Sequence, residues 1–296
     1  MDLNFKELNS MTPSLYKTWK IPKIKNGKFH SWRTIEEPCE ELKIIQTRLI
    51  KNFEDFTFHD YIFGVKGKSA ITNAAYHSSQ KIIIKLDVRD FFPNTTMEKV
   101  TSRIYDYLKS NLSYCFIKEG TKTRLPQGAP TSSILASIGF FSTDLHLKHL
   151  AEKHGLLYTR YVDDLTFSGP YRPKGFVKEV SKIIAPDYRL NWEKVESAHS
   201  GYQKQEITGV VINNGLSTPR KLRHNVRARL DHLARNGKSL DEETRGLLSY
   251  IYSVNKDQHA ALFAQYERRC DFYSSKIGKT SPCSEQGLSS NSNNNS

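Results

Sequence analysis

The segment LLYTRYVDDLTFSG, residues 156–169, constrains this chain more than any other stretch. Two arms rich in β-forming residues, LYTRY and LTFSG, flank a polar Asp163-Asp164 centre, which reads as a tight hairpin. A second apolar run, KIIIKLDV (81–88), is too short for an ordinary helix and reads as a buried strand ending at Asp87. By itself the acid pair suits an ordinary polar turn equally well. If the strand neighbours the hairpin, however, three carboxylates converge on one sheet edge, and like charges that close demand a cation. Hard oxygen donors that leave positions open for water and phosphate suit magnesium or manganese rather than zinc. Two such ions activate a hydroxyl and stabilise a leaving pyrophosphate, which is nucleotidyl transfer.

The surrounding elements extend this sheet. IPKIKNGKFHSWRTI (21–35) reads as a hairpin turning at Asn26-Gly27, and residues 40–55 as an amphipathic helix carrying Leu42, Ile45, Leu49 and Phe53. After Pro93, residues 95–112 predict a threonine-capped helix with Met97, Val100, Ile104 and Leu108 on one face. A loop, LPQGAPTSS, precedes a helix capped by Ser132 or Ser133 and facing inward through Ile134, Ile138, Phe141 and Leu145. Another strand-like segment, ITGVVINNG (207–215), follows the hairpin. Strand, helix, helix, hairpin, helix and strand predict an α+β fold, an antiparallel sheet with helices on one face, close to the split βαβ ferredoxin-like arrangement.

From Leu216 to about Cys270 the pattern turns helical and basic, with seven lysines or arginines against Asp231 alone between Arg220 and Lys238. The whole chain carries 44 basic against 31 acidic side chains, a net +13, so a polyanion is the first partner to consider. Cys39, Cys115, Cys270 and Cys283 lack metal-binding spacing and read as reduced thiols of a cytoplasmic protein. No run of apolar residues suits a membrane span, and the mixed, charged N-terminal segment reads as no secretion signal. The serine- and asparagine-rich residues 278–296 predict disorder.

LDVRDFFPN (86–94), LPQGAP (125–130), YVDD (161–164) and LNWEKVE (190–196) resemble, in order, the palm motifs of reverse transcriptases. The resemblance implies a right-hand polymerase, with fingers at about 1–80, palm elements and interleaved fingers at 81–215, a small helical thumb at 216–275 and a tail at 276–296. It implies Asp87, Asp163, Asp164 and the Val88 carbonyl as ligands for two Mg2+ ions, with Mn2+ as a substitute. Phe92 takes the place of the aromatic gate beneath the sugar of an incoming deoxynucleoside triphosphate, where it would exclude a 2′-hydroxyl. Gln127 and Gly128 resemble the loop along nucleotide and template, Lys194 the lysine beside the active site, and Arg33 a fingers residue that pairs with the triphosphate.

Within the family, Asn73-Ala-Ala-Tyr-His77 and Ile207-Thr208-Gly209 resemble elements of the bacterial retron type, the second with isoleucine for valine. Ser133 and Ser137 depart from the proline and asparagine common there. Asn73, His77, Thr208, Arg223, Arg227 and Arg229 are the candidates this resemblance offers for gripping RNA. It implies an enzyme that binds its own structured noncoding RNA, primes from an internal guanosine 2′-hydroxyl and makes branched RNA-linked DNA (msDNA). Host ribonuclease H would remove template, and an effector protein would serve antiphage defence. Rival expectations are a group II intron or diversity-generating reverse transcriptase, or a non-catalytic RNA-binding scaffold, against which the intact aspartates argue.

Overall fold

The computed structural model describes residues 15–25, 28–53, 56–104, 111–185 and 187–277. In chain order come β1 (Tyr16–Lys25), β2 (Lys28–Pro38), α1 (Glu40–Lys51), β3 (Ile62–Phe63), α2 (Ala70–Tyr76), β4 (Ile82–Arg89) and α3 (Met97–Thr101). Then follow β5 (Ile117–Glu119), β6 (Lys122–Arg124), α4 (Ser132–Lys153), β7 (Leu157–Tyr161), β8 (Asp164–Gly169), α5 (Phe176–Ile184), β9 (Arg189–Leu190) and β10 (Glu196–His199). The chain continues through β11 (Glu206–Ile207), β12 (Val210–Val211), α6 (Arg220–Arg235), α7 (Glu242–Val254) and α8 (Lys256–Ile277). Two compact units divide it, 1–73 with 80–203 and 74–79 with 204–296, so β11 and β12 fall with the C-terminal helices rather than with residues 81–215.

In the first unit the sheet order is β10-β4-β8-β7-β3, with β9 also pairing β4. Strands β4, β7, β8 and β10 alternate with α4 and α5 as β-α-β-β-α-β, and every pair among them is antiparallel. That is the expected α+β, ferredoxin-like arrangement. Ile82, Ile84, Leu86 and Val88 pack with Leu165 and Phe167 against α4 and α5, forming the core. Strand periodicity then sends Ile83, Lys85 and Asp87 to the opposite face.

The helical expectations need four corrections. α3 ends at Thr101, well short of Leu108, because the hydroxyls of Thr101 and Ser102 bond the carbonyls of Glu98 and Lys99 and compete with the helical ladder. Its first amide, on Met97, bonds Thr123 Oγ1 of β6 at 3.0 Å instead of a threonine cap of its own. In α4 the N-cap position is Thr131, and Ser132 Oγ bonds the Pro126 carbonyl at 2.7 Å. The α4 stripe is also rotated, since Leu145 is 43% exposed while the charged Asp144 is buried. Leu108, the Asn26-Gly27 turn and residues 278–296 lie outside the described residues. Lys276 and Ile277, grouped with the tail above, close α8.

In the C-terminal unit Val226, Leu230, Leu248, Ile251, Leu262 and Tyr266 join α6, α7 and α8 in one cluster. Asp241 caps α7 by accepting from the Thr244 amide at 2.7 Å. Among the described residues no helix is long and apolar enough to cross a membrane.

Candidate active site

The register settles whether the carboxylates meet. Asp87 lies directly opposite Asp164 across the β4–β8 pair, so both side chains leave the same face of the sheet. Val162 and Asp163 form the turn between β7 and β8, and the Asp163 carbonyl accepts from the Val88 amide at 2.9 Å. Val162 adopts a φ of 58°, unusual for a β-branched residue. Gly64 makes room for it, because a Cβ there would stand 2.8 Å from Val162 Cγ2.

Asp87 is buried, whereas Asp163 is half-buried and Asp164 keeps an open path to solvent. The surrounding protein mass, followed by the charges of Asp163 and Asp87, pushes the Asp164 carboxyl up to about 6. Desolvation and then Asp87 hold Asp163 above the usual carboxylate range. Such a set is under-neutralised and chemically suited to hard divalent cations. Among the described residues no three acidic, cysteine or histidine side chains are placed as they stand to hold a metal ion. Asp87 Oδ2 instead receives Lys194 Nζ at 2.5 Å. That lysine is aimed by its own short helical turn, whose preceding residue Asn191 donates to the Asp87 carbonyl at 2.8 Å.

A cavity of about 390 Å³ gathers Asp87, Val88, Phe92, Gln127, Asp163, Lys194 and Arg33. Lys23 and His30 of the first hairpin also line it, and the sequence reading missed both. Their strands carry no acid from Tyr16 to Ile35, a signal legible in composition. Phe91 is core, edge-to-face with Phe140 at 5.5 Å between ring centroids, while Phe92 is only partly buried. Gln127 is tied to β2, its carbonyl accepting from the Glu36 amide at 2.8 Å. At Gly128, with φ 134°, a Cβ would stand 3.0 Å from Ile35 Cγ2 and 3.1 Å from the Glu36 carbonyl oxygen, so packing against β2 itself requires glycine.

The RNA candidates are not gathered at this cavity. Asn73 and His77 are both fully buried, and the amide atoms of Asn73 have no hydrogen-bond partner. Burial drops the His77 imidazole to about 3. A histidine depressed in the fold stabilises it least at acid pH, since the unfolded chain takes up the proton first. His77 alone should therefore lower the unfolding free energy by about 2 kcal/mol between pH 7 and pH 5, offset in part by the raised carboxyls of Asp163 and Asp164, which gain stability over the same interval. His77→Gln should remove that contribution in urea titrations. Thr208 and Gly209, both at positive φ, form the tight turn between β11 and β12. Arg223 bonds the Thr218 carbonyl, Arg227 Nε bonds Gln265 Oε1 at 3.0 Å, and Arg229 pairs with Glu243 at 2.6 Å.

Comparison with known proteins follows the same lines. Residues 21–212 match the family described as reverse transcriptase (RNA-dependent DNA polymerase). The retron Ec86 reverse transcriptase of Escherichia coli is 31% identical, over 86% of this chain and 79% of that protein. The retron Mx162 reverse transcriptase of Myxococcus xanthus is 29% identical, over 86% of this chain but only 61% of its own length. Among solved structures, a Candida albicans telomerase with a TWJ fragment of telomeric RNA shows a TM-score of 0.48 at 12% identity, covering 89% of this chain and 56% of its own, a likeness too slight to add weight. With the family match spanning most of the chain and the Ec86 relative aligned over most of both proteins, this chain belongs to the reverse transcriptase family, within which it is of the retron type.

Proposed function

We propose that the chain is an RNA-directed DNA polymerase that copies part of a structured noncoding RNA into branched, RNA-linked DNA. The observation that carries this reading is the pairing of Asp87 with Asp164 across the sheet, with Asp87 and Asp163 lining a cavity shared with Phe92, Gln127 and Arg33 while Asp164 stands outside its lining. Asp87, Asp163 and Asp164, with the Val88 carbonyl, would hold two Mg2+ ions, or Mn2+ in their place. When bound, these supply hydroxyl activation and charge neutralisation at the leaving pyrophosphate. Arg33 offers a planar fork to the triphosphate, and Gln127 offers donors and an acceptor beside it. The Phe92 ring would exclude a ribose 2′-hydroxyl, and Lys194 would deliver a proton to the departing pyrophosphate.

The helical unit, with residues 216–275 as a thumb, supplies the basic surface for phosphates of the RNA. Arg223, Arg227 and Arg229 would exchange their present partners for phosphates, whereas Asn73, His77 and Thr208 act by shaping their segments. Ribonuclease H of the host removes template, and an effector protein turns the product to antiphage defence in the cytoplasm. The direct test is deoxythymidine triphosphate incorporation on poly(rA) annealed to oligo(dT). Incorporation that requires Mg2+ or Mn2+ is expected; a soluble, folded chain that incorporates nothing under either metal would sink the polymerase reading.

A further inference from the structure

Arg160 heads the large side chains that are fully buried among the described residues, and it lies immediately before the Tyr161-Val-Asp-Asp turn. Its Nε donates to Asp144 Oδ1 at 2.8 Å and its Nη2 to Oδ2 at 2.7 Å, and neither side chain has any exposed surface. Tyr158 adds a hydroxyl donor to Asp144 Oδ1 at 2.7 Å. Removing two charges from water is costly, and a buried pair of this kind is weak evidence for a purely stabilising role. The third direction of the fork is the informative one. Nη1 donates to the Val162 carbonyl at 2.9 Å, and Val162 is the left-handed residue whose carbonyl precedes Asp163. The guanidinium carbon lies over two rings, 5.1 Å from the Phe140 centroid and 5.7 Å from that of Phe91, the neighbour of Phe92.

A strained backbone conformation persists only where its surroundings over-determine it. Here the carbonyl of the strained residue is bound by a rigid donor that is itself locked by a bidentate carboxylate, as a lysine could not be. We propose that Arg160, clamped by Asp144, is a positioning residue for the catalytic turn, pinning the Val162 carbonyl so that Asp163 and Asp164 keep their register with Asp87. It rests on the carboxylate reading above, and it assigns helix α4 a role in that register through Asp144.

The test compares wild type with the double variant Asp144→Leu/Arg160→Met and with Arg160→Lys. Three quantities are read: deuterium exchange at the Val88 amide, whose acceptor is the Asp163 carbonyl, Mn2+ binding by electron paramagnetic resonance without nucleotide, and kcat and KM for deoxythymidine triphosphate. For the double variant, a retained near-ultraviolet spectrum is expected with faster Val88 exchange, weaker Mn2+ binding and a kcat lower by about 10²-fold, the cost of a misplacement near 1 Å. KM should move far less than kcat, as for an interaction expressed at the reacting atoms. Arg160→Lys should fall between, keeping the charge but losing the third direction. A folded double variant with wild-type Val88 exchange, Mn2+ binding and kcat would overturn the proposal. If the double variant does not fold, Arg160→Lys decides alone: wild-type Val88 exchange and kcat overturn it, and faster exchange confined to the turn upholds it. Asp163→Asn is assayed alongside. Should that variant polymerise, the carboxylate reading fails, while the exchange data still report whether Arg160 holds the turn.

Discussion

Asp163→Asn is expected to lower deoxynucleotide incorporation by ~10³-fold or more while leaving the chain folded and able to bind RNA. Each tenfold loss corresponds to ~1.4 kcal/mol of barrier, so the effect asks ~4 kcal/mol of one metal ligand, in keeping with the several kcal/mol that bound cations supply. The fold should tolerate the change because the Asp163 side chain is not what closes the turn. Its backbone carbonyl is, through the Val88 amide. Asparagine is also nearly isosteric and relieves repulsion in a set where Asp163 and Asp164 are both held above the usual carboxylate range. A thermal melt at or above that of wild type, beside lost incorporation, is the expected pair of readings. Unchanged incorporation would remove Asp163 from the mechanism.

The second large effect concerns the sugar. Phe92→Ala should raise ribonucleotide use relative to deoxynucleotide use by roughly 10²-fold, the scale on which a pocket discriminates by steric fit. Competing the two triphosphates on one primed template measures it. Phe91 provides the contrast, since its ring is buried against Phe140 and Tyr188 and does not act as a gate in this account. Phe91→Ala should cost about 3–5 kcal/mol of stability through the cavity it leaves, with selectivity unchanged in whatever fraction folds. Unaltered selectivity in Phe92→Ala would mean that the gate is some other group.

Local pattern disclosed the elements that hold the three carboxylates. The aliphatic run of β4 and the polar centre of the β7–β8 turn could be read from composition and spacing, and with them the three aspartates. Their register could not, because only pairing places Asp87 opposite Asp164. The early end of α3 is a local effect of the Thr101 and Ser102 hydroxyls, whereas the other errors share a cause, which is that distant partners settle local choices. Thr123 bonds the amide that a threonine cap would have taken. Asp144 occupies the inward stripe of α4 only because Arg160 meets it there, so a reading that sends charges outward rotates the helix and misses both residues. The Asn73–His77 element was legible as a motif but not as a buried one, since one sequence gives no measure of what covers a short helix.

The polymerase chemistry can be tested on any primed RNA, but the reading as a whole turns on what the protein makes from its own template. The most direct measurement is to purify the chain from its native host and sequence the nucleic acid that accompanies it. DNA covalently joined to an internal residue of a structured RNA is the expected product, absent when Asp163→Asn replaces the wild type. RNA without attached DNA, from a protein that polymerises on poly(rA), would contradict the account.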